Sequence, residues 1–390
     1  MKDFSFVAPT KLFFGKKAED RLGEALKEFH VFSLLLVYGG GSIKRSGLYD
    51  KVISTLQKNN IAYSELSGIR ANPTKQRVEE GVKEVKAKKL EWVLAVGGGS
   101  VIDTAKAIAV GAYYDGDPFD FNLKKAIPQR ALPVGVVLTI ASAGSEMSDS
   151  CVISDDATGI KQGFNSDLVR PKFALEDPEI TYTVPPFQTA AGFCDIMMHS
   201  LERYFEESGD LQLSDEWALD LVKNVMEAGT RVLKDPCDYD ARAALMLASS
   251  LSHNGLTGIG KQGKFVVHPL EHALSGYRPD ITHGTGVALL YPAWAQHVYP
   301  LEQHKFAVLA HRLFNISNDD ERKAAIMGIA AMKEFFHAVG MPTSFGEVGI
   351  TAQDIPSLVR LATGNGTRVV GCYPQPLNEQ DVKEIYESLL

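Results

Sequence analysis

The sequence lacks the features that mark several classes of protein. Only 4 cysteines occur among its 390 residues, at Cys151, Cys194, Cys237 and Cys372, and none forms a CxxC pair. Cysteines this far apart disfavour a disulfide framework or a thiolate zinc site. The opening MKDFSFVAP has an acid at position 3 and no apolar stretch of the length that a secretory signal needs. We therefore expect a cytoplasmic protein.

Two further absences restrict the partners. No apolar run approaches the roughly 20 residues of a membrane-spanning helix. The net charge is -8 and no sustained Lys/Arg tract is present, which argues against binding to nucleic acid or to an anionic membrane surface. Because 45% of the residues are hydrophobic, the chain can bury substantial cores, and two domains are more expected than one. Small molecules are the partners that we expect.

The character of the sequence changes near residues 185–190. Before this point, short apolar runs such as SLLLVY, WVLAV and LPVGVVLTIAS alternate with helical patterns, which predicts a parallel sheet with crossover helices, and CVISDD is expected to begin a hairpin. After it, long segments with 3.6-residue periodicity predict an all-helical region. The sequence therefore predicts an α/β domain over residues 1–187 and a helical domain over residues 188–390.

Two GGGS loops follow predicted strands, at residues 39–42 and 97–100. Consecutive glycines let a backbone approach a ligand closely, and the helix N-terminus that follows offers free N–H groups to a phosphate. Neither loop fits the GxGxxG fingerprint, because Lys44 and Ile102 stand at the third glycine position. We expect an atypical Rossmann-like domain in which both loops contact one dinucleotide. The alternative is that the glycines serve packing alone.

We place the pyrophosphate at residues 97–100, where Ser100 is predicted to cap the helix and Asp103 to complete a capping box. The first loop is then expected to face the adenosine ribose with Ser42, Lys44 and Arg45. If the first loop ended in an acid, it would bind a ribose diol and repel a 2′-phosphate. It has Gly39, Ser42 and the two nearby bases instead, which favours NADP over NAD.

Asp195 and His199 lie four residues apart in a predicted helix, so both side chains project from one face. His268, His272 and His283 follow in a second short window. One carboxylate with three imidazoles suits Fe(II), Zn or Mn, and the ligand types alone do not identify the metal. The alternatives are a hydrogen-bonded helical pair, a solvent-facing His272 and a turn at His283.

These motifs resemble those of a known family. The segments GGGSVIDTAKAIA, GSE at residues 144–146, DPEITYTVPPFQTAAGFCDIMMHSLERY and HPLEHALSGYRPDITHG are similar to the iron-containing (group III) alcohol dehydrogenases, closest to their butanol-dehydrogenase-like branch. The resemblance extends over essentially the whole chain. It implies an N-terminal domain that binds NAD(P), a helical domain that holds one divalent metal, an active site in the cleft between the domains, and a homodimer.

Carried over position by position, the resemblance also assigns site residues. The metal ligands implied are Asp195, His199, His268 and His283. The implied cofactor positions are Gly39, Gly40, Gly41, Ser42, Gly97, Gly98, Gly99, Ser100, Asp103, Thr139 and Ser142.

The predicted reaction is hydride transfer between the nicotinamide of NADP(H) or NAD(H) and a short-chain alcohol or aldehyde, with the metal as Lewis acid. His272 is the candidate proton relay, with an ordinary surface histidine as the alternative. FCDIMMH and Phe164 or Phe265 are candidates for an apolar pocket wall, or for core. The other functions to be weighed are a glycerol-dehydrogenase-like or dehydroquinate-synthase-like enzyme and a non-catalytic nucleotide-binding sensor.

Overall fold

The computed structural model describes residues 3–207, 213–261 and 264–390. Its internal contacts divide the chain into two compact units. The sheet unit is Val7–Thr183, and the helical unit is Val184–Leu390 together with Met1–Phe6. Among the described residues, none of the helices combines the length and the apolar character that a membrane span requires.

The sheet unit is built on parallel strands, as the alternating apolar and helical patterns predict. Its strands are β1 (Lys11–Phe14), β2 (Ser33–Tyr38), β3 (Ala62–Leu66), β4 (Trp92–Gly97), β5 (Val134–Leu138), β6 (Ser150–Asp155), β7 (Ile160–Asn165) and β8 (Phe173–Glu176). Six of them form one parallel sheet in the order β1-β8-β5-β4-β2-β3. The β6–β7 pair is the expected antiparallel hairpin.

Helices cross between these strands. They are α1 (Leu22–Glu28), α2 (Ser42–Arg45), α3 (Leu48–Lys58), α4 (Lys75–Lys88) and α5 (Gly99–Gly111). The pattern after the first glycine loop forms two helices because Gly47 adopts a φ of 79° between them, a left-handed conformation that ends α2. Central strands β2, β4 and β5 are almost entirely buried, which explains their continuous apolar runs.

The helical unit contains no strand among its described residues, as the periodicity of the second half predicts. Its helices are α6 (Pro186–Tyr204), α7 (Leu213–Lys234), α8 (Tyr239–His253), α9 (Val267–Tyr277), α10 (His283–Val298), α11 (Gln303–Phe314), α12 (Glu321–Ala338), α13 (Ile355–Thr363) and α14 (Glu379–Glu387). Proline is well tolerated in a first helical turn, and Pro186 is the first residue of α6. From Thr189 to Tyr204 every residue of α6 is buried, so α6 is the central helix of this unit.

Candidate metal centre and cofactor loops

Four side chains of the helical unit bring one carboxylate and three imidazoles together. Asp195 and His199 lie one turn apart on α6, His268 is the second residue of α9, and His283 is the first residue of α10. Asp195 Oδ1 lies 3.4 Å from His199 Nδ1, 3.7 Å from His268 Nε2 and 3.5 Å from His283 Nε2. The fold thus gathers the four residues that were predicted as metal ligands.

This geometry fits a single divalent ion. Ligand atoms about 2.1 Å from a tetrahedral ion are about 3.4 Å from one another, close to the spacing seen here. His199 Nδ1 and His268 Nε2 are buried, and neither makes a hydrogen bond to the described residues. Burial of polar atoms without partners is costly, and coordination of an ion would remove that cost.

The electrostatics favour the ligand forms of two of these groups. Burial raises the pKa of Asp195, but the imidazoles of His199, His283 and His268 outweigh burial and hold that pKa far below its usual range. Burial also lowers the pKa of His199 well below its ordinary value. An ionised carboxylate and a neutral imidazole are the forms that bind metals.

Two buried glutamates complete the cluster, and the sequence analysis missed both. Glu202 Oε2 lies 3.2 Å from Nδ1 of His268, and Glu271 Oε2 is hydrogen-bonded to Nδ1 of His283. Burial lowers the pKa of His268, but the carboxylates of Glu202 and Asp195 together outweigh burial and raise that pKa to about 9. A sequence signal for both glutamates exists, because HSLE and HPLE each place a glutamate three residues after a predicted ligand.

His272 lies beside the cluster. Its ring centroid is 5.7 Å from that of His283 and 6.5 Å from that of His268, and its side chain is half-buried. Phe265 is also half-buried, with its ring 4.9 Å from His268. Phe164, the other candidate for a pocket wall, is buried in the sheet unit with its ring 5.9 Å from Phe121, which is a core position. The apolar residues of FCDIMMH are likewise buried in α6.

The two glycine loops follow neighbouring strands of the sheet. β2 and β4 are paired with Tyr38 opposite Val96, so residues 39–42 and 97–100 leave the same edge side by side. The chain runs from β2 outward to β3 in one direction and from β4 outward to β5 in the other. Dinucleotides bind at the carboxyl edge of a sheet where the strand order reverses in this way. Both loops therefore lie where a dinucleotide is expected, and their contact with one stays a prediction.

The packing of the loops differs. A Cβ at Gly98 would lie 2.3 Å from Ile140 Cγ2, and one at Gly99 would lie 2.9 Å from Ala143 Cβ, so these glycines are required for packing. A Cβ at Gly40 would meet nothing within 4 Å. Packing therefore accounts for glycine at positions 98 and 99, whereas it does not account for Gly40.

The predicted capping box is wrong. α5 begins at Gly99, Gly98 is its N-cap, and no side chain caps it. The helix therefore begins two residues earlier than it would with Ser100 as its N-cap. Asp103 instead accepts hydrogen bonds from Ser145 Oγ at 2.6 Å and from the Val152 N–H at 2.8 Å, and so ties α5 to β6.

The remaining predicted cofactor residues lie close to this edge. Thr139 follows β5, and its N–H donates to Gly97 O at 3.1 Å. Ser142 is half-buried in the same turn. The Lys44 ammonium lies 4.7 Å from the ring centroid of Tyr49, in α3. Contacts of these residues with a cofactor stay predictions.

Comparison with known proteins places the chain in a family. Residues 9–178 match the model of the iron-containing alcohol dehydrogenases, and residues 189–390 match that of the C-terminal region of the Fe-containing alcohol dehydrogenase family. The chain belongs to the iron-containing alcohol dehydrogenase family. The resemblance found in the sequence is therefore confirmed.

Relatives and solved structures of this family match over nearly the whole chain. NADH-dependent butanol dehydrogenase A of Clostridium acetobutylicum is 40% identical, with 100% of both chains covered. NADPH-dependent aldehyde reductase YqhD of Escherichia coli is 35% identical over 95% of each chain. The crystal structure of NADH-dependent butanol dehydrogenase A from Thermotoga maritima has a TM-score of 0.96 and 36% identity, and covers 100% of this chain and 99% of that chain. The predicted fold class is confirmed as well.

Proposed function

We propose that the protein is a metal-dependent NAD(P)H alcohol dehydrogenase and aldehyde reductase that acts on short-chain substrates. The observation that carries this proposal is the convergence of three imidazole nitrogens within 3.7 Å of Asp195 Oδ1 in a chain of this family. The names of the relatives, an NADH-dependent butanol dehydrogenase and an NADPH-dependent aldehyde reductase, agree with that chemistry.

Asp195, His199, His268 and His283 would hold the metal, and Fe(II) or Zn suits this donor set. A divalent ion there supplies a Lewis acid that polarises an aldehyde oxygen or stabilises an alkoxide. Burial of Asp195 and His199 excludes water from one side of the cluster, so their charges are weakly screened. The half-buried His283 lies on the accessible side.

His272 is proposed to move the proton that must reach or leave the substrate oxygen. Its ring lies next to that of His283, and its partial exposure allows it to exchange protons with solvent. An imidazole has an ordinary pKa in the range useful for this task.

The cofactor is proposed to lie over residues 39–42 and 97–100 at the carboxyl edge of the sheet, near Thr139 and Ser142. Gly40 supports this placement, because the structure gives no packing reason for glycine there. A preference for NADP is proposed from Gly39, Lys44 and Arg45. Relatives named for each cofactor occur among the matches, so both cofactors are used in the test.

A glycerol-dehydrogenase-like or dehydroquinate-synthase-like enzyme is the alternative with the same two-domain architecture. Those enzymes are expected to have other sets of metal ligands. A non-catalytic sensor predicts a broken ligand set, whereas all four residues converge here. We also propose a homodimer, from the family resemblance, and a cytoplasmic location.

The test is oxidation of NADPH, and separately of NADH, by the purified protein with butanal, before and after chelation. We expect turnover to be lost on chelation, restored by Fe(II), Zn or Mn, and faster with NADPH. Asp195→Asn should lower kcat/KM by about 100-fold or more, since a Lewis acid contributes several kcal/mol.

Asp319→Asn, an exposed change in the same unit, is the matched control and should keep full activity. If no aldehyde were reduced with any metal although NADPH still bound, the proposed dehydrogenase activity would be refuted. A non-catalytic nucleotide-binding sensor would then be the better-supported function.

A further inference from the structure

Glu202 occupies an unusual position on α6. It lies seven residues after Asp195 and three after His199, on the same side of the helix, and it is 4% exposed. Its carboxylate accepts hydrogen bonds from the backbone N–H groups of Val266, Val267 and His268 at 2.7–3.2 Å. The first N–H groups of a helix have no partner within that helix. Glu202 therefore caps α9 from a different helix.

The same carboxylate contacts the imidazole of His268. Glu202 Oε2 is 3.2 Å from Nδ1, and Nε2 on the other side of the ring faces Asp195 Oδ1 at 3.7 Å. A carboxylate at Nδ1 keeps the proton on that nitrogen and leaves Nε2 to coordinate. One carboxylate thus fixes both the start of α9 and the direction of its ligand ring.

Glu271 repeats this arrangement one helix further along the chain. It lies on α9, is fully buried, and is hydrogen-bonded to Nδ1 of His283, the first residue of α10. His283 Nε2 faces Asp195 Oδ1 at 3.5 Å. Gly286 makes room for it, because a Cβ at that position would lie 2.7 Å from Glu271 Cγ.

We propose that Glu202 and Glu271 are positioning residues, each of which holds the histidine of the next ligand-bearing helix with Nδ1 protonated and Nε2 directed at the metal position. α6 thereby supplies Asp195 and His199 directly and places His268 through Glu202. α9 supplies His268 and places His283 through Glu271. This inference rests on the metal site of the proposed function.

The experiment compares Glu202→Gln and Glu271→Gln with the parent protein, each stripped of metal. The dissociation constants for Zn²⁺ and Co²⁺ are measured by competition with a chromophoric chelator, and the visible spectrum of the Co²⁺-loaded protein reports the coordination. We expect each variant to bind both metals about 10- to 100-fold more weakly, with an altered Co²⁺ spectrum. Glu227→Gln, an exposed change on α7, should alter neither.

A purely structural role predicts another pattern. If Glu202→Gln lowered the melting temperature of the metal-free protein but left both dissociation constants within twofold, Glu202 would be a helix cap only, and the proposal would be overturned. Should Glu202→Gln fail to fold, Glu202→Asp keeps the charge on a shorter side chain. It is expected to weaken metal binding about 3- to 10-fold, less than the 10- to 100-fold typical when such an outer partner is removed, and unchanged binding would again refute the proposal.

These readouts need neither substrate nor cofactor. A parent protein that binds metal and loses it with Asp195→Asn, yet reduces no aldehyde, would refute the proposed function and leave this inference testable. Metal binding that Asp195→Asn does not change would refute the site itself.

Discussion

At the residue scale, Gly40 in the first glycine loop and Gly284 in α10 are surrounded very differently. Gly40 has open space where a Cβ would be, whereas a Cβ at Gly284 would lie 1.9 Å from the carbonyl oxygen of Ala191. The first position can accept alanine without a clash, and the second cannot. A glycine that packing does not require is a candidate for close approach to a ligand.

Gly40→Ala is therefore expected to leave the fold intact and to weaken cofactor binding. Stability should change by no more than about 0.5 kcal/mol, as for ordinary surface substitutions. KM for NADPH or NADH should rise about 10-fold, a loss of about 1.4 kcal/mol from an added methyl group between backbone and ligand. Steady-state kinetics and thermal melts measure both quantities. Gly346→Ala, where the nearest atom to the new Cβ is 3.8 Å away, is the control. Unchanged KM values for both cofactors would remove residues 39–42 from the cofactor site.

Residue type and spacing indicated five candidate ligands, and the family resemblance then reduced them to the four that converge here. Asp195 and His199 share a helix face by spacing alone. Glu202 and Glu271 were missed because a buried glutamate is uncommon, and because neighbouring residues in the sequence do not show which groups on another helix it will contact. The N–H groups that Glu202 accepts from are 64 to 66 residues away along the chain. Only the fold brings them together.

At the scale of elements, the predicted strands, the hairpin and the helical second half are confirmed, since hydrophobic periodicity is a local property. The start of α5 was predicted wrongly because Gly98 and Gly99 pack against Ile140 and Ala143, about 40 residues later, and the local sequence does not reveal that packing. The close approach of two helices could not be predicted from the sequence either. α10 approaches α6 so closely that Gly284 lies against the backbone of Ala191, one turn before Asp195.

Gly284→Ala should separate these two helices and disturb the candidate metal site, to which both contribute ligands. Because the new Cβ would meet backbone rather than a flexible side chain, α10 must move as a whole. We expect a loss of at least about 1–3 kcal/mol in the free energy of unfolding, and weaker Zn²⁺ binding because His283 moves with α10. Denaturant melts and chelator competition measure these changes. Gly346→Ala again serves as the control. Stability and zinc affinity equal to those of the parent would contradict this close packing.

At the scale of the whole molecule, the candidate metal centre and the candidate cofactor loops belong to different units. All four candidate metal ligands lie in the helical unit, on α6, α9 and α10, and both glycine loops lie in the sheet unit, after β2 and β4. The change of sequence character near residues 185–190 predicts such a division of tasks, because periodicity changes where the architecture changes. The metal ion should therefore stabilise the helical unit most strongly, and the cofactor should stabilise the sheet unit most strongly.

Hydrogen exchange of the metal-free, Zn²⁺-loaded and NADPH-bound protein tests this division. Binding to the native state at 100 times the dissociation constant stabilises it by about 2.7 kcal/mol, and the protection is greatest where the ligand is held. Zn²⁺ should slow exchange in α6, α9 and α10, and NADPH should slow it in the loops after β2, β4 and β5. In Asp195→Asn, Zn²⁺ should have no effect while the NADPH effect remains. Zinc protection that falls on the sheet unit and spares α6, α9 and α10 would contradict the assignment of Asp195, His199, His268 and His283 as the metal ligands.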